Sequence, residues 1–122
     1  MKEHILVVDD EAPTRELLSI FFKRRGCTVT TASTGTDALR LVNELPVRLL
    51  ILDIELGEEL SGLDLLEPIK KNRPELAVIL FSGIVLDEQT LQKARQKGAA
   101  GYLHKTQPLD QMWAEVQRAL RG

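Results

Sequence analysis

The chain has 122 residues, 43% hydrophobic and 28% charged, the size and composition of one soluble globular domain that buries about two-thirds of its unfolded surface. Its formal charge of -2 gives no electrostatic drive toward nucleic acid, and no apolar run approaches the ~20 residues that cross a bilayer. The single cysteine, Cys27, excludes an internal disulfide, has no CxxC partner for zinc and reads as a small buried hydrophobe.

The opening "MKEHILVV" has too short an apolar stretch for a secretory signal, so a cytoplasmic location is expected. "HILVV" (4–8) is the first predicted strand, and Asp9, Asp10 and Glu11 follow it at once. Pro13 opens a helix that runs to Arg25 and is ended by Gly26. Its apolar positions Leu17, Leu18, Ile20, Phe21 and Phe22 cover a wider arc than core packing needs, which leaves either deep burial or a partner-facing patch. "CTVTTA" is a short second strand. Thr34 and Asp37 form a capping-box pattern for a helix carrying Ala38, Leu41, Val42 and Leu45 that stops before Pro46. The third strand is "RLLILD". Ser61 and Asp64 open a helix with Leu63, Leu66 and Ile69 that ends near Asn72 and Pro74. "LAVILF", a helix capped at Asp87 and ended by Gly98, the strand "GYL", and a last helix after Pro108 complete the chain. That last helix carries Leu109, Met112, Trp113, Val116 and Leu120 at core spacing. The basic runs "KRR" (23–25) and "KKNR" (70–73) fall at helix ends, where cations complement the helix dipole.

Five strands alternating with five helices, with near-continuous apolar strands, predict an α/β fold: a doubly wound, five-stranded parallel sheet covered on both faces. In such sheets ligands bind at the carboxyl ends of the strands, where the strand order reverses. Those ends deliver Asp9 and Asp10 from the first strand, Asp53 from the third, Ser82 and Gly83 from the fourth, and Lys105 from the fifth. An aspartate or serine there is often only a helix cap, and a lone lysine is usually solvated. Three carboxylates brought together repel, however, and call for raised pKa values or a cation between them. Carboxylates completed by water suit Mg2+ better than Ca2+, and neither His4 nor His104 has a zinc-ligand neighbour. A lysine, a hydroxyl and Mg2+ around one further carboxylate is a set suited to phosphoryl transfer.

The stretches "VVDDE", "LLILDIEL", "VILFSG" and "GAAGYLHK", in this order and spacing, resemble the receiver domain of two-component response regulators over residues 1–122. The resemblance implies a flavodoxin-like strand order 2-1-3-4-5 and a phosphoacceptor domain that is not itself an enzyme. It implies that Asp53 takes a phosphoryl group from the phosphohistidine of a histidine kinase or phosphotransfer protein. Asp10, Asp53 and the backbone carbonyl of Glu55 would bind Mg2+, with Asp9 acting through water. Ser82 and Lys105 would hold the phosphoryl oxygens. Tyr102 would turn inward as Ser82 moves, so that the face made by helix four, strand five and helix five selects an output partner.

Two departures stand out. The family usually has a cis proline after its lysine, whereas Lys105 is followed by Thr106; the bond is either a strained cis bond or a trans path that moves Lys105. Gly57 stands where the family usually has proline, Gly62 arrives one position late, and the acids Glu55, Glu58 and Glu59 either tune the site or form a solvated loop. Three other readings compete: a phosphorylation-independent pseudo-receiver, a flavin carrier, and an aspartyl-phosphate phosphatase. The loop-like "TASTGT" that would favour flavin follows the second strand rather than the first, and "DIE" supplies only half of the phosphatase D-x-D pattern. The ending "ALRG" fits both a free-standing receiver and one joined to a longer chain.

Overall fold

A computed structural model describes residues 2–57 and 61–122; the expectation for Glu58 and Glu59 lies outside them. The elements alternate in chain order: β1 (His4–Val8), α1 (Ala12–Arg24), β2 (Thr28–Ala32), α2 (Gly35–Glu44), β3 (Leu49–Asp53), α3 (Gly62–Asn72), β4 (Ala77–Ser82), α4 (Glu88–Gln96), β5 (Gly101–His104) and α5 (Leu109–Arg121). The strands form one parallel sheet in the order β2-β1-β3-β4-β5, as expected.

Burial on both faces explains the continuous apolar strands. Leu6, Val8, Leu50, Leu52, Val78 and Leu80 point to one face, where they meet residues of α2, α3 and α4. Their neighbours Ile5, Val7, Leu49, Ile51, Ile79, Phe81 and Leu103 point to the other, against Leu18 and Phe22 of α1 and Met112 and Val116 of α5. Each strand thus feeds both cores by simple alternation.

The caps fall where the sequence put them. Thr34 accepts the Asp37 N–H at 3.1 Å, Ser61 and Asp64 form a reciprocal capping box, and Asp87 accepts the Thr90 N–H at 2.7 Å. Gly26 and Gly98 follow α1 and α4 at φ +87° and +108°, in the left-handed region that other residues avoid. The basic run 70–73 has structural work beyond the dipole. Arg73 donates to Val42 O and Val47 O, both at 2.7 Å, and Lys70 donates to Pro74 O and Leu76 O, also at 2.7 Å.

One detail differs from the sequence reading, and one alternative it left open is decided. The buried face of α3 is Leu65, Leu66 and Ile69, with Leu63 only partly covered, because Gly62 lies against the β3 end and the residues three, four and seven further on share its side of the helix. In α1 the wide apolar arc splits: Leu18 and Phe22 are core, whereas Leu17 and Ile20 are 52% and 53% exposed.

The first turn of α3 rests directly on the end of β3. Gly62 N–H donates to Ile54 O at 3.1 Å, and a Cβ on residue 62 would stand 2.4 Å from Asp53 O and 3.0 Å from Ile54 Cα. Backbone cannot retreat as a side chain can. Gly62→Ala is therefore expected to destabilise the fold by ~2 kcal/mol or more, despite alanine's better helix propensity. Gly35→Ala, whose new methyl meets the rotatable Leu65 Cδ1 at 2.8 Å, should cost under ~1 kcal/mol. Urea denaturation of the two variants measures the contrast, and equal losses would count against the close approach.

Candidate functional site

The strand order reverses between β1 and β3, and the acids gather there. Val8 pairs with Leu52, so Asp9 and Asp53 follow one step on in adjacent strands, ~4.8 Å apart along the hydrogen-bonding direction. The ladder runs past the assigned strand ends: Asp9 N–H donates to Ala32 O at 3.1 Å and Lys105 N–H to Ser82 O at 2.8 Å. The alternation of faces therefore continues too. Asp9 extends the series Ile5, Val7; Asp53 extends Leu49, Ile51; Lys105 extends Leu103, all on the α1/α5 side. Ser82 extends Val78 and Leu80 on the other side, and Tyr102 packs there as well.

Asp9 and Asp53 are fully buried, and Lys105 spans them. Its ammonium lies 3.0 Å from Asp9 Oδ2, 3.1 Å from Asp53 Oδ2 and 3.2 Å from Glu11 Oε1. Burial first, and then the Asp9 charge, push the Asp53 carboxyl up to about 7, although the Glu55 N–H and Lys105 pull the other way. For Lys105, burial works against the charge but is outweighed by Asp9 and Asp53, which hold the ammonium well above its ordinary range. One ammonium does not balance this cluster. Carboxylate oxygens of Asp9, Asp10 and Asp53 lie within 4.8 Å of one another, with Asp10 exposed. Asp9 Oδ2 is buried with no well-formed hydrogen bond despite its ion pair with Lys105. An all-oxygen anionic set with an unsatisfied buried oxygen fits a hard divalent cation.

The remaining Asp53 oxygen is held from the chain itself, by the Glu55 N–H to Oδ1 at 2.9 Å. Glu11 N–H does the same for Asp9 Oδ1 at 2.9 Å, and Arg15 donates to Asp9 O at 2.7 Å. Ser82 is fully buried; its hydroxyl donates to Glu55 Oε2 at 2.6 Å and accepts Ile84 N–H at 3.1 Å. The Tyr102 hydroxyl donates to Ile84 O at 2.8 Å.

The response regulator receiver domain family matches residues 5–117. The chain belongs to that family. It is 39% identical over 116 residues to an NtrX-like response regulator of Rickettsia felis, covering 94% of this chain and 24% of that protein. The crystal structure of NtrX from Brucella abortus superposes with a TM-score of 0.89 at 38% identity, over 99% of this chain and 27% of that one. A response regulator from Burkholderia pseudomallei, solved with a phosphorylated aspartic acid, a calcium ion and citrate, gives a TM-score of 0.87 at 27% identity, over 98% and 69%. The chain thus spans about a quarter of the length of the curated relative above.

In this receiver the sequence-predicted residues Asp9, Asp10, Asp53, Ser82 and Lys105 all reach the same end of the sheet. Tyr102 reaches it through the Ile84 carbonyl. No cis peptide bond occurs among the described residues, so the bond to Thr106 is trans, and Lys105 still reaches both buried carboxylates. The Glu55 side chain, read from sequence only as part of an acidic loop, is the contact that was missed. No local signal in the sequence marks it, because the two partners, Glu55 and Ser82, are 27 positions apart.

The raised Asp53 pKa has a consequence for stability. A carboxyl at about 7 in the fold, against an ordinary 3.8, keeps a proton that the unfolded chain has lost over that interval. Stability contributed by the protonated group is full below ~4 and is lost as pH rises through ~7. Asp53→Asn removes that loss. In chelator, the variant should match the parent near pH 4 and exceed it by roughly 2 kcal/mol above pH 7. Thermal melts across that range measure it; a gain that shrinks with pH would contradict the burial of an uncompensated charge.

Proposed function

We propose that residues 1–122 form one receiver domain that takes a phosphoryl group onto Asp53 from the phosphohistidine of a histidine kinase or phosphotransfer protein, in the cytoplasm. The observation that carries this reading is Asp53 itself. It is a fully buried carboxylate at the switch point of the sheet, held by Glu55 N–H on one oxygen and by the Lys105 ammonium on the other. Such a carboxylate has little to do for stability and is set up for in-line attack. The phosphorylated aspartic acid and cation named for the Burkholderia protein are in keeping with it.

In transfer, an Asp53 oxygen forms the new bond to phosphorus, and the P–N bond to the donor imidazole breaks with its electron pair staying on nitrogen. Lys105 follows the charge as it moves onto the phosphoryl oxygens, leaving its present place between Asp9 and Asp53. The Ser82 hydroxyl donates to another phosphoryl oxygen. Asp10, Asp53 and the Glu55 carbonyl would hold Mg2+, with Asp9 acting through water. When bound, the ion supplies the positive charge that one lysine cannot, offsetting repulsion between carboxylate and phosphoryl group.

Ser82 is two hydrogen bonds from Tyr102, through Ile84, so a shift of its hydroxyl alters how the β4–α4 loop holds that ring. The readout is then the α4–β5–α5 face, recognised by an output domain or partner, with no direct contact to nucleic acid or membrane. The domain turns over no other substrate. No helix among the described residues is long and apolar enough to cross a membrane.

Intact mass after incubation with acetyl phosphate tests the reading. One phosphoryl adduct is expected, dependent on Mg2+ and absent from Asp53→Asn. An adduct that survives in the variant would move the acceptor elsewhere. No adduct from any phosphodonor, histidine kinases included, would make the domain a phosphorylation-independent binding module.

A further inference from the structure

The two polar groups at the end of β4 are already taken by an anion that belongs to the chain. Glu55 Oε2 accepts the Ser82 hydroxyl at 2.6 Å, and Glu55 Oε1 accepts Gly83 N–H at 3.0 Å. This two-point clasp joins the segment after β3 to the end of β4, and a charged acceptor makes both bonds strong. A serine hydroxyl has one proton to give. While Ser82 gives it to Glu55, it has none for a phosphoryl oxygen.

The clasp has a second side. Ser82 Oγ accepts Ile84 N–H at 3.1 Å, and Ile84 O accepts the Tyr102 hydroxyl at 2.8 Å, so Glu55 fixes the hydroxyl from which that chain of bonds starts. The Glu55 N–H meanwhile holds Asp53 Oδ1 at 2.9 Å. One residue therefore touches the acceptor carboxylate with its backbone and the switch serine with its side chain. Glu55 is also solvent-exposed, unlike Asp9 and Asp53. A carboxylate at the surface can be released to water at small cost, whereas a buried one cannot.

We infer that the Glu55 carboxylate is an internal competitor of the phosphoryl group, occupying the Ser82 hydroxyl and the Gly83 amide until phosphorylation of Asp53 displaces it. This rests on the reading of Asp53 and Ser82 given above. The competition acts as a brake: it lowers the affinity of the site for any tetrahedral anion on Asp53, and it does so without touching the cation ligands contributed by side chains. It also ties the brake to the switch, because the displaced carboxylate and the redirected hydroxyl are one event.

The test uses beryllofluoride as the phosphoryl mimic at saturating Mg2+, with Mg2+ affinity measured separately. Glu55→Ala is expected to bind the mimic about tenfold more tightly than the parent, and Glu55→Gln, still an acceptor but uncharged, about threefold more tightly. In a Ser82→Ala background the gain from Glu55→Ala should shrink to the part carried by Gly83. The Gly83 amide resonance should move in Glu55→Ala without mimic, and in the parent only when the mimic binds. Equal or weaker mimic binding by folded Glu55→Ala overturns the inference and leaves the receiver reading standing. Absence of Mg2+-dependent mimic binding in both parent and Glu55→Ala removes the receiver reading and the inference with it.

Discussion

Asp9 and Asp53 stand on adjacent strands with neither carboxylate open to solvent, and the Lys105 ammonium lies about 3 Å from each. Everything at this end of the sheet answers to that pairing. Without an ammonium between them, two buried charges one strand spacing apart would not both ionise, and even with it Asp53 stays raised to about 7. The parallel sheet causes the problem, because strand alternation sends Asp9, Asp53 and Lys105 to one face from three different strands. It also solves part of it, since the same alternation brings the lysine. The solution is deliberately incomplete in a physical sense: the net charge of the cluster is negative, and Asp9 Oδ2 lacks a well-formed hydrogen bond. A cluster balanced internally would have no affinity for a further cation.

Much of this was legible from sequence because it follows from period and position. Apolar runs of strand length separated by capped helices gave the sheet, and the carboxyl ends of the first, third, fourth and fifth strands gave the site candidates. Capping pairs such as Ser61 with Asp64 read correctly because both partners are local. The buried face of α3 did not, since Leu63, Leu65 and Leu66 are all apolar and the choice among them is made by a tertiary contact, Gly62 against the Asp53 backbone. The apolar arc of α1 likewise gave composition but not direction: Leu18 and Phe22 went inward while Leu17 and Ile20 stayed out. Hydrogen bonds between side chains distant in sequence left the weakest trace. Glu55 and Ser82 are 27 positions apart, and nothing in either stretch names the other.

The Lys105–Thr106 linkage shows how far a local departure can be absorbed. What the cluster needs is the ammonium within reach of Asp9 and Asp53, and the Lys105 N–H bond to Ser82 O fixes the start of that side chain through the sheet ladder itself. The side chain leaves the backbone before the Thr106 bond begins. The path beyond it is secured separately, by Gln107, which accepts His104 N–H at 2.7 Å and donates its own N–H to His104 O at 3.0 Å. Position of the lysine is thus a property of β5 and its neighbour, not of the loop that follows. That division explains how a chain with threonine after the lysine still joins Lys105 to the buried pair Asp9 and Asp53.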